Sequence, residues 1–345
     1  MSIPRFELSP GYTISRIIRG GWQLAQGHSQ SGITAATAIE GLRRCAEAGI
    51  TTIDCADIYT GVEDLMGRFL RQYRGDSTIQ IHTKYVPDLN SLATLAKNDI
   101  AATINRSLQR LGVERLDLVQ FHWWDYEIPG YVEAAQTLNQ LRHQGKIRHI
   151  GVTNFDVTHL AEIVDAGVPV VSNQVQYSVL DRRPATEMAT WCARHDISLL
   201  CYGALAGGFL SEKYLGAVSP EEPLENRSLT KYLLIIEEFG GWDRFQRLLR
   251  ILRDIADRHN TNLSVVAARA ILDQSQVGAA IVGMRRVRHI SELAQAFSFE
   301  FDDSDRASIG RCLAQSRGPA GSVYALERAK GGRHEKIMKT NLNRT

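Results

Sequence analysis

The chain has little net charge: its formal balance is +2 over 345 residues, with acids and bases mixed throughout. That leaves no reason to expect nucleic acid or an anionic membrane as the main partner. No uncharged stretch approaches the roughly 18 apolar residues that a membrane span requires. The segment Met1 to Glu7 has neither the basic start nor the apolar run of a signal peptide, so a cytoplasmic setting is expected. Cysteine is sparse, with five residues (Cys45, Cys55, Cys192, Cys201, Cys312) and no CxxC spacing. They read as reduced core thiols, and no metal site is expected. Asn105 and Asn226 begin glycosylation patterns that matter only in a secreted chain. No GxGxxG follows the first strand, which removes the signature of a Rossmann nucleotide site.

What is present is a repeat of strand and helix, in a chain that is 44% hydrophobic and can bury a sizeable core. Apolar residues at Ala35, Ala38, Ile39, Leu42, Cys45 and Ala46 have helical spacing, and Gly49 suits the end of that helix. Thr51 to Ile53 then runs into Asp54. A second stripe, Val62 to Tyr73, leads to the alternating strand Ile79 to Thr83 and Lys84. A third, Ile100 to Leu111, stops at Gly112 before the apolar strand Leu116 to Phe121 and His122. The series continues through strands at 147–152, 170–174, 197–202 and 279–282, while Ile17 and Ile18 form the first. Eight strands with short helical links predict an α/β fold, the (β/α)8 TIM barrel, in preference to a doubly wound open sheet.

Two segments exceed the repeat. Residues 203–262, the long loop after the seventh barrel strand, are expected to form a lid followed by one helix over Phe245 to Ala256. Residues 318–345 form a tail rich in Gly, Lys and Arg, expected either to be a partly ordered end or to fold over the substrate side. The expected division is one barrel domain over 1–317 and a C-terminal extension over 318–345. Residues 3–15 suit a β-hairpin across the barrel bottom.

Asp54, Tyr59, Lys84 and His122 all fall at or just beyond strand C-terminal ends, the face where barrels of this kind build active sites. Singly, each has a structural use as cap, packed aromatic, solvated cation or core imidazole. Together they can protonate a carbonyl oxygen. An ammonium about 4 Å from a tyrosine contributes on the order of 4 kcal/mol at an effective dielectric near 20. The expectation is therefore that Lys84 lowers the Tyr59 pKa, Asp54 holds the lysine, and His122 hydrogen-bonds the substrate oxygen.

The stretch Ile53-Asp54-Cys55-Ala56-Asp57-Ile58-Tyr59-Thr60-Gly61-Val62-Glu63, with Thr83-Lys84, Gln120-Phe121-His122-Trp123 and Gly151-Val152-Thr153-Asn154-Phe155, resembles the aldo-keto reductase family. The resemblance spans about residues 12 to 300. It implies a (β/α)8 barrel that binds NADP(H) without a Rossmann fold and moves hydride between nicotinamide and a carbonyl or alcohol carbon. Tyr59 would be the general acid. Thr153, Asn154 and Gln174 match positions that hold the nicotinamide amide, and Tyr202 matches the aromatic on which its ring stacks. Ala204, Leu205 and Gly207 are similar to a pyrophosphate-lining loop. The segment from Ile281 to Glu292, with Gly283, Arg285, Arg286, His289 and Glu292, resembles the adenosine-phosphate clamp, where guanidinium donors suit a 2′-phosphate. The basic cluster makes NADP(H) expected over NAD(H), while Thr60, Gly203-Ala204, His289 and Leu293 depart from the family pattern, the last two within that clamp. Trp22, Gln23, Trp123 and Trp124, with Tyr126 nearby, are the candidate substrate-pocket residues for an aldehyde, ketone or sugar. Two other readings stay open: a nucleotide-binding regulatory barrel without turnover, and an aldolase using Lys84 as a Schiff-base nucleophile.

Overall fold

A computed structural model describes residues 3–25, 34–284 and 288–343. Ten strands form. β1 (Arg5–Ser9) and β2 (Tyr12–Ser15) pair antiparallel as a separate hairpin. The others are β3 (Ile17–Gly20), β4 (Thr52–Asp54), β5 (Gln80–Tyr85), β6 (Leu116–Phe121), β7 (Ile147–Thr153), β8 (Val170–Gln176), β9 (Ser198–Tyr202) and β10 (Val277–Val282). They close a parallel barrel in sequence order, with β10 pairing back onto β3. The expected (β/α)8 barrel and hairpin are thus both present.

Because strand side chains alternate, each barrel strand contributes one face outward and one inward. Outward residues such as Ile53, Ile81, Val119 and Phe121 are buried in one cluster with Leu42, Met66, Phe69 and Ile104 of the covering helices. The inner face changes from apolar to polar along the barrel axis. At the lower end Ile18, Leu118, Leu200 and Ala279 pack with Leu8, Tyr12 and Ile14 of the hairpin. Tyr12 also bonds His82 Nε2 at 3.1 Å and packs on His149, its ring centroid 4.5 Å away. The hairpin is therefore a plug that gives the inner core a floor, and the polar layer above it faces the opposite end.

Helices α1 (Ala35–Glu47), α2 (Val62–Gln72), α3 (Lys97–Leu111), α4 (Tyr131–His143), α5 (Val157–Asp165) and α6 (Glu187–Arg194) link the first seven barrel strands. Two of their ends use glycine as expected of residues without a Cβ: Gly61 before α2 and Gly112 after α3 have φ of +76° and +68°. Beyond β9 the chain builds α7 (Arg227–Phe239), α8 (Trp242–Arg258) and α9 (Leu263–Leu272) before β10. The expected lid thus carries two helices before residue 262, not one. The helices α7, α8, α9 and α11 (Asp303–Ala314) share a second core that includes Phe239, Phe245, Leu249, Leu252 and Ile309. The helix α10 (Arg288–Ala294) lies between β10 and α11.

The tail, with short helices α12 (Ala325–Arg328) and α13 (Arg333–Lys336), lies across the loops at the C-terminal end of the barrel. Arg328 donates to the carbonyls of Trp123, Asn154 and Trp124 at 2.9, 3.0 and 3.2 Å. Leu89 N–H donates to the Thr340 carbonyl at 2.8 Å, and Asn343 donates to that of Val86 at 2.8 Å. Glu327 is buried against Arg183 at 3.0 Å, which also pairs with Asp181 at 2.7 Å, and Lys231 of α7 approaches Glu327 at 3.5 Å. Tail and lid thus meet over the mouth through a four-charge cluster.

Candidate active site

Four strands place one polar side chain each on the inner face just below the mouth: Asp54 of β4, Lys84 of β5, Gln120 of β6 and Gln174 of β8. Lys84 Nζ donates to both Asp54 oxygens at 2.8 and 2.7 Å and to the Cys55 carbonyl at 3.0 Å. The side chains of the pair are only 6% and 5% exposed. Asp54 Oδ1 also accepts from Gln120 Nε2 at 3.1 Å and Gln174 Nε2 at 2.7 Å. A buried carboxylate is tolerable only with partners of this kind. Burial would discharge the ammonium, but Asp54 and Tyr59 outweigh it and hold the Lys84 pKa above its ordinary value.

Tyr59 sits above this layer on the turn between β4 and α2, with the Lys84 Nζ 5.0 Å from its ring centroid and the Trp22 ring 4.9 Å away. Its pKa is raised, because desolvation outweighs the lowering field of Lys84. The downward shift expected from the ammonium is therefore corrected in sign: burial is the larger effect, and the phenol is neutral at pH 7.

His122 follows β6 and is buried, its Nδ1 3.1 Å from the Thr153 carbonyl. Burial, the Arg328 guanidinium and Lys84 drive its pKa down to about 3, against the Thr153 carbonyl. The ring is therefore neutral, and a carbonyl can only accept, so the proton is on Nδ1. Nε2 then carries a lone pair, and it has no hydrogen-bond partner. This ring accepts a hydrogen bond at Nε2; it cannot donate one to a carbonyl oxygen. The Trp124 edge packs on it at 4.4 Å between centroids and Tyr324 of the tail at 5.5 Å.

A cavity of about 890 Å³ opens over these groups, lined by Asp54, Tyr59, Lys84 and His122. Trp22, Gln23, Trp124, Thr153, Asn154, Gln174 and Tyr202 also line it, and so do Ala204, Leu205 and Gly207 after β9 and Gly283, His289 and Glu292 after β10. Arg285 and Arg286 lie outside the described residues. Trp123 is a correction: it is fully buried, donates from its indole to the Asp125 and Ile128 carbonyls at 3.0 Å, and does not line the cavity. Its neighbour Trp124 does, while its indole nitrogen bonds the Pro87 carbonyl at 2.8 Å.

The groups expected around a nicotinamide are close together. Asn154, in the left-handed region at φ +63°, accepts from the Tyr202 hydroxyl at 2.8 Å through its side-chain oxygen. Thr153 Oγ1 donates to the Gln174 carbonyl at 3.0 Å. Gln174 has its amide nitrogen committed to Asp54 and Gln120, so it braces the polar layer as well as lining the cavity. Gly207, expected to line a pyrophosphate, adopts φ +66°, and a Cβ there would lie 2.7 Å from the Tyr232 ring. That glycine makes room for α7 as well as for a ligand. Sequence reasoning did not single out Gln120, Lys231, Tyr232, Tyr324 or Arg328. Only Gln120 had a signal, since it shares the inner face of β6 with Leu118 at a spacing of two.

Fold and mouth together define a (β/α)8-barrel enzyme. The family described as Aldo/keto reductase family matches residues 16–314. The chain is 30% identical over 295 residues to the flagellar radial spoke protein 5 of Chlamydomonas reinhardtii, a match covering 74% of this chain but 55% of that protein, so it spans about half of that relative's length. It is 27% identical over 312 residues to the aldo-keto reductase YhdN of Bacillus subtilis, covering 88% and 91% of the two chains. With the NADH-specific methylglyoxal reductase of Escherichia coli it shares 25% identity over 326 residues, covering 88% and 96%. The glycerol dehydrogenase AKR11B4 of Gluconobacter oxydans has the same fold, with a TM-score of 0.75 at 23% identity and 93% and 97% coverage. An aldo-keto reductase of Klebsiella pneumoniae solved with NADPH also shares it, with a TM-score of 0.69 at 19% identity and 93% and 98% coverage. The chain belongs to the aldo/keto reductase family. It is an NAD(P)H-dependent oxidoreductase acting on carbonyls.

Proposed function

We propose that this enzyme reduces an aldehyde, ketone or sugar carbonyl with Tyr59 as the general acid, and catalyses the reverse oxidation of the alcohol. The observation that carries this reading is the buried Asp54–Lys84 pair directly beneath a neutral phenol at the floor of the cavity. The residues present fit a nicotinamide: Asn154 and Thr153 stand beside Tyr202, and the same cavity is also lined by Gly283, His289 and Glu292. When bound, that group supplies hydride to the carbonyl carbon. Tyr59 gives its proton to the carbonyl oxygen as charge develops there, and Lys84 limits the cost of the resulting phenolate. Asp54, braced by Gln120 and Gln174, keeps the ammonium charged and aimed. We propose NADP(H) over NAD(H) from the basic segment 285–289, with Arg285, Arg286 and His289 as its contacts.

Trp22, Gln23 and Trp124 are proposed as substrate walls. His122 Nε2, as an acceptor, suits a second hydroxyl on the substrate, because the single proton of the reacting oxygen is shared with Tyr59. The barrel over 1–317 and the tail over 318–345 are proposed to act as body and cover. Five free, buried cysteines agree with a reducing, cytoplasmic setting, and no described helix is long and apolar enough to cross a membrane. An aldolase role for Lys84 is disfavoured, since a Schiff base needs the free amine that Asp54 denies it. The regulatory alternative gains from the name of the Chlamydomonas relative, but a merely nucleotide-binding barrel has no use for a tuned phenol. The test is NADPH oxidation against an aldehyde and sugar panel, with Tyr59→Phe beside wild type. Turnover should fall by about 10²-fold or more while NADPH still binds. Full turnover in that variant would end the reading.

A further inference from the structure

Away from the mouth, α8 and α11 face each other across a cavity of about 260 Å³ lined by Arg244, Arg247 and Ile251 of the first helix and Ser308, Arg311 and Cys312 of the second, with Gln315 at its end. The spacing puts Arg244, Arg247 and Ile251 on one stripe of α8, and Ser308, Arg311, Cys312 and Gln315 on the opposing stripe of α11.

Other arginines nearby are neutralised. Arg253 pairs with Glu212 and Asp257, Arg258 with Asp305, and Arg306 with Asp273. Arg244, Arg247 and Arg311 make no ion pair among the described residues; Arg311 Nη2 donates to Ser308 Oγ at 3.2 Å, and Nη1 of Arg244 is buried with no hydrogen-bond partner. A guanidinium stays charged under all ordinary conditions, so neutralisation by proton loss is not open to these side chains. Three permanent charges around one concave space, one with a buried unused donor, are what a site for an anion looks like before the anion arrives. Burial raises the Cys312 thiol pKa, and Arg244 and Arg247 oppose it, which agrees with both guanidiniums facing the same space.

We propose that this pocket binds a small polyanion carrying at least two phosphate groups. Each guanidinium can grip a pair of oxygens, so three together offer donors for more oxygens than one phosphate carries. A concave space with a buried donor favours a compact ion over the flat acidic face of a macromolecule. The proposal is independent of the hydride-transfer reading, because no residue of this pocket lines the barrel mouth.

The test uses the full chain with excess NADPH, so that phosphate subsites at the mouth are filled. Inorganic diphosphate is titrated at constant ionic strength, and alkylation of Cys312 is followed by peptide mass. Diphosphate should slow alkylation severalfold and saturably, and orthophosphate should need far higher concentrations. The protection should vanish in Arg244→Gln/Arg247→Gln and weaken in Arg311→Gln, whose exposed side chain leaves the helix packing intact. Absence of saturable protection in wild type, or undiminished protection in the Arg311 variant, overturns the site. Equal protection by orthophosphate overturns the ligand class.

Discussion

Asp54→Asn removes one half of a buried ion pair without changing the shape of the residue. At 2.8 Å and an effective dielectric near 20, the attraction lost is about 6 kcal/mol. Part of it only offsets the desolvation of the two charges, and breaking such a pair typically costs about 3–5 kcal/mol. An unfolding entropy of about 2.1 cal/mol/K per residue over 345 residues gives about 0.7 kcal/mol/K, so the melting temperature should drop by roughly 4–7 °C. Lys84 has its pKa raised in the folded state, so its contribution is full below the unfolded lysine value near pH 10.4 and is lost as pH climbs through the folded value. The gap between wild type and variant should accordingly be largest near neutral pH and shrink above about pH 10. The assay is a circular-dichroism melt at several pH values, with Lys84→Met added to make a double-mutant cycle. Removing both charges should recover part of the loss. A melting temperature within a degree of wild type, or a gap that widens with pH, would refute the account of a stranded charge.

Reductive turnover, measured by stopped-flow, should show no fall from loss of the acid between pH 6 and about 10, because burial keeps the Tyr59 phenol protonated; alcohol oxidation, which needs the phenolate, should rise with pH over the same range. No step attributable to His122 should occur between pH 5 and 8, since its pKa lies at about 3. Glycolaldehyde should exceed acetaldehyde in kcat/KM by roughly fivefold, the worth of one ~1 kcal/mol hydrogen bond to Nε2, and the preference should be lost in His122→Phe. Glu327 has its pKa lowered to about 2: burial raises it, but Lys231 and Arg183 outweigh that. Its contribution to holding the tail is therefore full above the unfolded value of about 4.3 and is lost as pH falls toward 2, so limited proteolysis of residues 318–343 should accelerate through that window and already be fast at pH 7 in Glu327→Gln.

Where a residue's position follows from its place at a strand end, the sequence sufficed; the hydrogen-bond sense of His122 did not follow, because it depends on burial and on the Thr153 carbonyl. Asp54, Lys84 and His122 were legible because each closes a run whose alternation fixes the inner face, and their meeting needed only the barrel. Tyr59 was legible in place but not in proton affinity, since a charge contact can be guessed from residue types while desolvation depends on everything packed around the ring. Trp123 and Trp124 show how abruptly legibility ends: beyond the strand the period of two no longer applies, and adjacent indoles go one to the core and one to the cavity. The helix α7 was missed although Leu229, Tyr232, Leu233, Ile236 and Phe239 have helical spacing, because the further apolar residues Leu234 and Ile235 turn the middle of that stripe into a continuous run.

The tail was hardest to read because its specificity lies in the partners and not in the segment. Arg328 bonds three backbone carbonyls, which every sequence offers everywhere. Glu327 finds its cations at Arg183 and Lys231, one on the turn before α6 and the other on α7. Yet the same rule governs both charge clusters: a buried carboxylate requires a cation and fixed donors, or it would be neutral. Asp54 meets that demand across adjacent strands, within reach of the barrel's own register. Glu327 meets it only once lid and tail have both folded over the mouth, which couples the closure of the site to the pairing of one acid.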